Sequence, residues 1–325
     1  MAVCLSTAVL CLSCDSAFAD SFADPLAGPF AVRDQNPLLA GFGLPAAMPA
    51  HLDDAWSMAA DASWGSTALI QEDGAEILLV DAETREARLT LQAPLTERIA
   101  LQLQIPYRYT GGGNLDSFID SWHDTFGLSE GARPVLPPDQ LNIGYASAGA
   151  VALNKTSSMS GLADVQAALG YEVISSAASA LTAWFSIKLP TGDSDKLAGS
   201  GATDVSVLLA GQHRLDDRWS LFGQASATRL GDGDLLPARQ RSFVWGGLAG
   251  LSWQAWRGLS LKAQIDVHSA AFDSNLAFLN EAVVLTVGGD YRFASQWRLD
   301  LGVSEDLAVE HSPDVVLVMA LKRNW

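Results

Sequence analysis

Beyond position 14 this chain has no cysteine: Cys4, Cys11 and Cys14 are the only three it contains. All lie within residues 1–19, and without that stretch the protein has neither disulfide nor thiol nucleophile. Also missing, after the N-terminus, is any run of about eighteen apolar residues, which excludes membrane-spanning helices. Charge is thin, at 18% of residues, where a soluble domain carries roughly 25%. Bases are scarcer than acids, 20 against 37, and the net charge of -17 excludes nucleic acid as a partner. Histidines number only 5 and do not cluster, so no metal and no cofactor is expected.

What is present is apolar content, 49% of 325 residues, dealt out singly rather than in blocks. That mixture belongs to a transmembrane β-barrel, whose strands alternate lipid-facing and lumen-facing residues. Met1 to Ala19 reads as a secretory signal: Val3 to Leu12 is apolar, and Ala17-Phe18-Ala19 precedes Asp20. No Lys or Arg precedes the apolar part, so the signal is incomplete. Residues 20–50 are rich in Pro and Gly and have no lasting period. They read as a periplasmic lead-in, a segment folded into the lumen, or a disordered leader.

From His51 onward, through residues 51–325, period two recurs. Trp56, Met58, Ala60, Ala62 and Trp64 share one face; Ala87, Leu89 and Leu91 alternate with Glu86, Arg88 and Thr90. Leu101, Leu103, Ile105 and Tyr107 oppose Gln102, Gln104 and Arg108. Leu169 and Tyr171 oppose Gln166 and Glu172, and Phe185 and Ile187 oppose Ser186 and Lys188. The last third repeats the pattern, with Lys262, Asp266, His268, Asp290, Arg292, Arg298 and Asp300 all on the polar side. A soluble sandwich would need one-sided strands along its whole length. A lumen instead gives the mid-strand charges a common wet side, and a charge facing lipid at the midplane costs roughly 2–4 kcal/mol.

Short connections (94–98, 174–180, 215–218, 256–257, 294–295) alternate with longer ones (65–75, 110–160, 191–201, 231–240, 271–280). The expectation is an all-β fold: an antiparallel transmembrane barrel of about twelve strands, its short turns and both termini periplasmic. Gln140 to Val151 also alternates, and the count rises if it spans. Tyr171, Trp219, Trp253, Trp256, Phe293, Trp297 and Trp325 gather near the short turns, as an interfacial girdle does. The final strand, Val315 to Trp325, ends on an aromatic, the feature such a barrel offers its assembly machinery. Outer-membrane lipid, lipopolysaccharide and that machinery are the expected partners.

Within the longest loop, Leu115, Phe118, Ile119, Trp122 and Phe126 recur at helical spacing, with Gly127 as a C-terminal stop. A short amphipathic helix is expected there. Asp116, Asp120 and His123 share another face, suited to a metal or acid/base pair, or to the solvated side of a helix that caps the pore. The cap is the expectation, since no second histidine supports a metal.

Leu115-Asp116-x-Phe118-Ile119-x-x-Trp122-His123-x-x-Phe126-Gly127-Leu128, followed by Arg133, resembles the signature of a Gram-negative family of outer-membrane barrels. That family is designated only as a domain of unknown function, serial three-one-eight-seven. Phe30 to Pro37, Gly43-Leu44-Pro45, Leu189-Pro190-Thr191-Gly192-Asp193, Gly199-Ser200-Gly201-Ala202-Thr203-Asp204 and Asp266-x-His268 fit it too. The resemblance implies an outer-membrane location and a barrel, and brings no activity. The Pro-Thr-Gly-Asp and Gly-Ser-Gly pieces also recur in barrels that resemble channels for aromatic or hydrophobic compounds.

The leading expectation is a narrow pore or carrier for small solutes, hydrophobic ones included. Glu172, Lys188, Lys262, Asp266, His268, Asp290, Arg292, Arg298 and Asp300 would set selectivity from the lumen. Asp116, Phe118, Asp120, Trp122, His123, Phe126 and Arg133 would form the gate, with residues 20–50 assisting. One alternative is a membrane-embedded esterase or phospholipase-like hydrolase built on His268 and Ser269 with Asn275. Outer-membrane phospholipases resemble this set, but their histidine and serine share one strand face, whereas His268 and Ser269 are adjacent and point apart. The other alternative is a closed structural barrel binding lipopolysaccharide.

Overall fold

The computed structural model describes residues 27–115, 119, 121, 125, 135–294, 296–308 and 310–325. The signal over 1–19, the loop helix and the gate residues Asp116, Phe118, Asp120, Trp122, His123, Phe126 and Arg133 lie outside the described residues.

In chain order the strands are β1 (Ser57–Asp73), β2 (Glu76–Thr96), β3 (Ile99–Gly111), β4 (Asn142–Ser147), β5 (Ala150–Lys155), β6 (Met159–Leu162), β7 (Gln166–Ser175) and β8 (Ser179–Lys188). They continue as β9 (Asp204–Arg214), β10 (Trp219–Arg229), β11 (Phe243–Trp256), β12 (Leu259–His268), β13 (Ala282–Ala294), β14 (Trp297–Asp306) and β15 (Val315–Asn324). Twelve of them, β1 to β3 and β7 to β15, form a closed antiparallel barrel. Closure is made by β15 against β1, in register from Ser57 opposite Asn324 to Ser66 opposite Val315. No strand of the ring is left with an open edge in hydrocarbon, where an unpaired amide costs several kcal/mol.

The three remaining strands do not cross. β4 pairs with Glu76–Asp81 of β2 beyond the end of β3, and β5 folds back on β4. Gln140 to Val151 therefore extends the wall at the long-loop end, and the count of twelve stands. β6 continues the line of β7 along β3; the two are one strand interrupted at Ala163–Val165.

The expected loop at 65–75 is corrected. β1 and β2 run on through it and meet at a tight turn, where Gly74 takes a positive φ of 58°. Their outer parts read as loop because Ser66, Thr67, Asp81 and Glu83 break the apolar alternation while being buried. The start of the longest loop covers Glu83. Glu83 accepts the backbone N–H of Asn114 and of Leu115, and Leu115 and Ile119 pack on Val315, Trp64 and Val303. By register these are outward residues. Leu115 and Ile119 thus lie against the outside of the wall, whereas Ile143, Tyr145 and Leu153, later in the same loop, pack into the core at the long-loop end.

Register sorts every ring strand into two faces. Outward are Leu101, Tyr107, Leu169, Phe185, Leu209, Leu221, Leu261, Val287, Leu301 and Met319, each exposed. Inward are Glu86, Arg108, Lys188, Gln264, Thr286 and Asp300, each buried. Four register shifts, beside Leu95, Val173, Ala255 and Phe293, sit at the short-turn rim, where bulges let strands bend into turns. The rim carries the aromatic girdle: the Trp219 and Trp253 rings stack at 5.9 Å and Phe293 and Trp297 at 6.4 Å. Leu209→Arg, mid-strand and outward, should destabilise the barrel in liposomes by about 2–4 kcal/mol, against about 0–1 for Leu215→Arg in a short turn. Urea unfolding midpoints in vesicles measure the difference.

Candidate functional site

The lumen is occupied by the chain's own residues 27–50. This strap is too rich in Pro and Gly to pair as a strand, so its backbone polar groups need other partners. Inward side chains of the wall supply them in sequence. Lys262 donates to Gly28 O at 3.2 Å, and the Gln264 amide bonds both Phe30 N–H and Phe30 O. Arg88 donates to Ala31 O, Arg108 to Ala40 O at 2.7 Å and Lys188 to Gly41 O at 3.1 Å. Asp204 accepts Gly43 N–H at 2.7 Å, and Ser206 donates to Gly43 O. Further along, Gln224 holds Ala46 O and Met48 N–H, Trp184 donates to Pro49 O and Thr182 to Ala50 O. At Gly41 a Cβ would stand 2.9 Å from the Gly199 backbone, so only glycine fits where strap and loop cross.

Three charge clusters secure this arrangement. Glu86 is 2.6 Å from Arg108 and 2.9 Å from Arg33 of the strap, with Arg88 beside them. Lys188 Nζ lies 2.7 Å from Asp164 and 3.1 Å from Asp204. Asp164 also accepts Gly192 and Ser200 N–H, and Asp204 accepts Gly231 N–H. The Pro-Thr-Gly-Asp and Gly-Ser-Gly pieces therefore serve as backbone donors closing a buried ion cluster. The third cluster is Asp300, 3.2 Å from Lys262 and 2.7 Å from Lys322, with Lys262 lying 4.0 Å from the Phe30 ring.

Along its axis the lumen has two unlike halves. Toward the long loops it is dry: Leu38, Leu39 and Phe42 of the strap pack with Leu69, Leu78 and Val80 of the wall. Phe272 and Phe278 from the loop after β12 complete this core, and the Phe42 and Phe272 rings lie 5.5 Å apart. Toward the short turns a cavity of about 490 Å³ remains, its lining including Gln92, Gln102, Gln212, Arg214, Arg298 and Asn324. At its mouth Asp53 accepts from Asn324, and burial raises its carboxyl pKa above the ordinary value, with His51 opposing.

All nine lumen residues expected from the sequence face inward. Lys262 pairs with Asp300, and Arg298 with Asp290 at 3.0 Å, as wall-to-wall pairs; Arg292 and Arg298 both line the cavity. The others find partners that strand pattern could not indicate. Glu172 bonds His51 at 2.6 Å, and His268 Nε2 bonds Asp34 Oδ2 at 3.0 Å, both across to the strap side. Asp266 accepts from Gln264. His268 Nδ1 meets the Ser269 carbonyl, while the Ser269 hydroxyl accepts Trp245 N–H. The geometry thus brings no His268 nitrogen to the Ser269 hydroxyl. Trp325 donates its backbone N–H to Trp56 O, and its ring lies 4.7 Å from the Arg323 guanidinium. Missed in the sequence were Arg33, Asp34, Glu86, Arg88, Arg108, Asp164 and Asp204 as the ties between strap and wall; inward parity marked Glu86, Arg88, Arg108 and Asp204 as lumen residues, and nothing in strand pattern marked the other three.

Removing one member of a buried ion cluster costs about 3–5 kcal/mol, because its partners stay charged and unpaired. Lys188→Met should loosen the strap without opening the ring. Amide exchange over residues 38–46 should rise by orders of magnitude, while the barrel keeps its heat-modifiable gel mobility.

The architecture matches known barrels. An outer-membrane channel from Pseudomonas putida F1 superposes with a TM-score of 0.58 at 16% identity, covering 84% of this chain and 97% of that one. The P. putida toluene transporter TodX aligns at 0.41 and 12% identity, over 84% of this chain and 91% of its own. The KdgM porin aligns at 0.44 and 7%, over 82% and 99%. The first of these establishes the fold, that of an outer-membrane channel barrel; the other two are too distant to add to it. No functionally curated protein matches the chain. The profile of the family described as "Protein of unknown function (DUF3187)" matches residues 1–325, and the chain belongs to that family.

Proposed function

We propose that this barrel resides in a Gram-negative outer membrane, short turns and termini periplasmic, as a narrow pore or carrier for small solutes. The observation that carries the reading is the 490 Å³ cavity that reaches the short-turn end beneath the strap. A barrel needed only as a wall has no use for a vestibule of that size, in which amides and guanidinia stand among the strap's alanines and prolines. Such groups bind a passing solute weakly at several points, which transport requires.

The dry core at the other end makes this the closed state. Opening calls for Leu38, Leu39 and Phe42 to leave Phe272 and Phe278 while the ring stays intact. The strap is held through side chains rather than by strand pairing, so it can release without unpairing the wall.

A closed structural barrel is the competing reading, favoured by that same core. Planar-bilayer recording separates them. The pore reading expects rare brief openings of the wild type, and an open probability raised about ten-fold in Arg33→Ala/Lys188→Met, equivalent to about 1.4 kcal/mol. Silence from both proteins, each verified as folded, would defeat the pore and leave the wall.

A further inference from the structure

Arg85 faces the hydrocarbon side at the long-loop end of the wall. The register that places Glu86 and Arg108 inside turns Arg85 of β2 outward, opposite Trp64 of β1 and Tyr109 of β3. Its guanidinium carbon lies 4.2 Å from the Trp64 ring centroid and 5.5 Å from that of Tyr109. Arg85 Nη2 is 3.1 Å from Glu83 Oε2, and the side chain remains 41% exposed. Nη2 also donates to Asn114 Oδ1 at 3.3 Å, while Nε is buried without a hydrogen-bond partner among the described residues.

Height identifies the level. Trp56, at the short-turn rim, and Trp64 lie on one outward face, eight residues apart. At about 3.3 Å per residue and a tilt of about 40°, they differ by about 20 Å along the membrane normal. Trp64, Arg85 and Tyr109 therefore sit at the interface on the long-loop side, where aromatic belts and headgroups meet.

The neighbouring carboxylate is shared between Arg85 and three further donors. Glu83 is fully buried and also receives Trp64 Nε1 at 2.5 Å and the N–H groups of Asn114 and Leu115. Its charge is directed into the loop that covers it, while Arg85 looks outward. Immediately below, two small residues, Ala62 and Ala87, leave a trough between Tyr107 on one side and Leu301, Leu317 and Met319 on the other. That trough has a volume of about 740 Å³ and opens on the hydrocarbon.

We propose that this is a binding site for one bilayer lipid with an anionic phosphate headgroup. The phosphate sits on Arg85, between the two aromatic rings, and an acyl chain runs down the trough. A free phosphate ion does not account for the apolar groove beneath the guanidinium; a lipid uses both. The site stands whether or not the lumen conducts.

Native mass spectrometry of the full chain in maltoside detergent tests it, with dipalmitoyl phosphatidic acid, dipalmitoyl phosphatidylcholine and inorganic phosphate as probes. Phosphatidic acid should be retained about ten-fold more tightly than phosphatidylcholine, a difference of about 1.4 kcal/mol. Arg85→Gln should erase that preference, and Arg229→Gln, outward at the end of β10, should keep it. Ala87→Trp, which fills the trough and leaves Arg85 and Glu83 in place, should weaken retention of both lipids. An undiminished preference in Arg85→Gln, unchanged retention in Ala87→Trp, or displacement of the lipid by equimolar inorganic phosphate would each overturn the assignment.

Discussion

The structure depends on one requirement: a backbone amide in hydrocarbon must find its partner inside the protein. Ten consecutive residues of β1 against ten of β15 meet it at the seam, and with the seam closed the alternation of side chains fixes which residues meet lipid. The rest follows from geometry. A twelve-strand ring encloses more space than its inward side chains fill, and this chain fills the remainder with residues 27–50. Because that segment lies among side chains rather than strands, its own backbone obeys the same requirement by different means. Gln264, Lys262, Arg88, Arg108, Lys188 and Gln224 do for the strap what neighbouring strands do for one another.

Charge is arranged by the same logic. Lys188 and Glu86 are deeply buried, yet neither stands alone, because isolated ions in such surroundings are far too costly. Each cluster joins wall to wall or wall to strap, so the ions specify where the strap lies more than they stabilise the ring. The apolar contacts of Leu38, Leu39 and Phe42 add an end-specific seal. Two independent fastenings, ionic on the sides and apolar at the top, hold the strap above the cavity at the short-turn end.

Much of the architecture was legible in the sequence because period two survives wherever one face meets lipid and the other does not. The inward parity of Glu172, Lys188, Lys262, Asp290 and Asp300 could be read directly. The reading failed where a third layer covers the wall. Glu83 is an outward residue hidden by the start of the longest loop, and its polarity, with that of buried Asp81, made the upper halves of β1 and β2 look like loop. Ala163–Val165 interrupts β6 and β7 so that Asp164 can turn inward to Lys188, a contact set by tertiary position alone. The ties between strap and wall were equally invisible, since partners such as Asp34 and His268 are separated by most of the chain. Composition marked residues 20–50 as irregular but left open whether they lie inside, and only the lumen's inventory of donors and acceptors decides that for residues 27–50.

Spin-label accessibility along β9 tests the central claim most directly, with oxygen reporting lipid and a water-soluble nickel chelate reporting water. Labels placed singly from Val205 to Ala210 should show oxygen maxima at Val205, Val207 and Leu209. Neither reagent should reach Ser206, Leu208 or Ala210, because the strap lies against them. Chelate access at those three positions would contradict an occupied lumen, and a profile without period two would contradict the barrel itself.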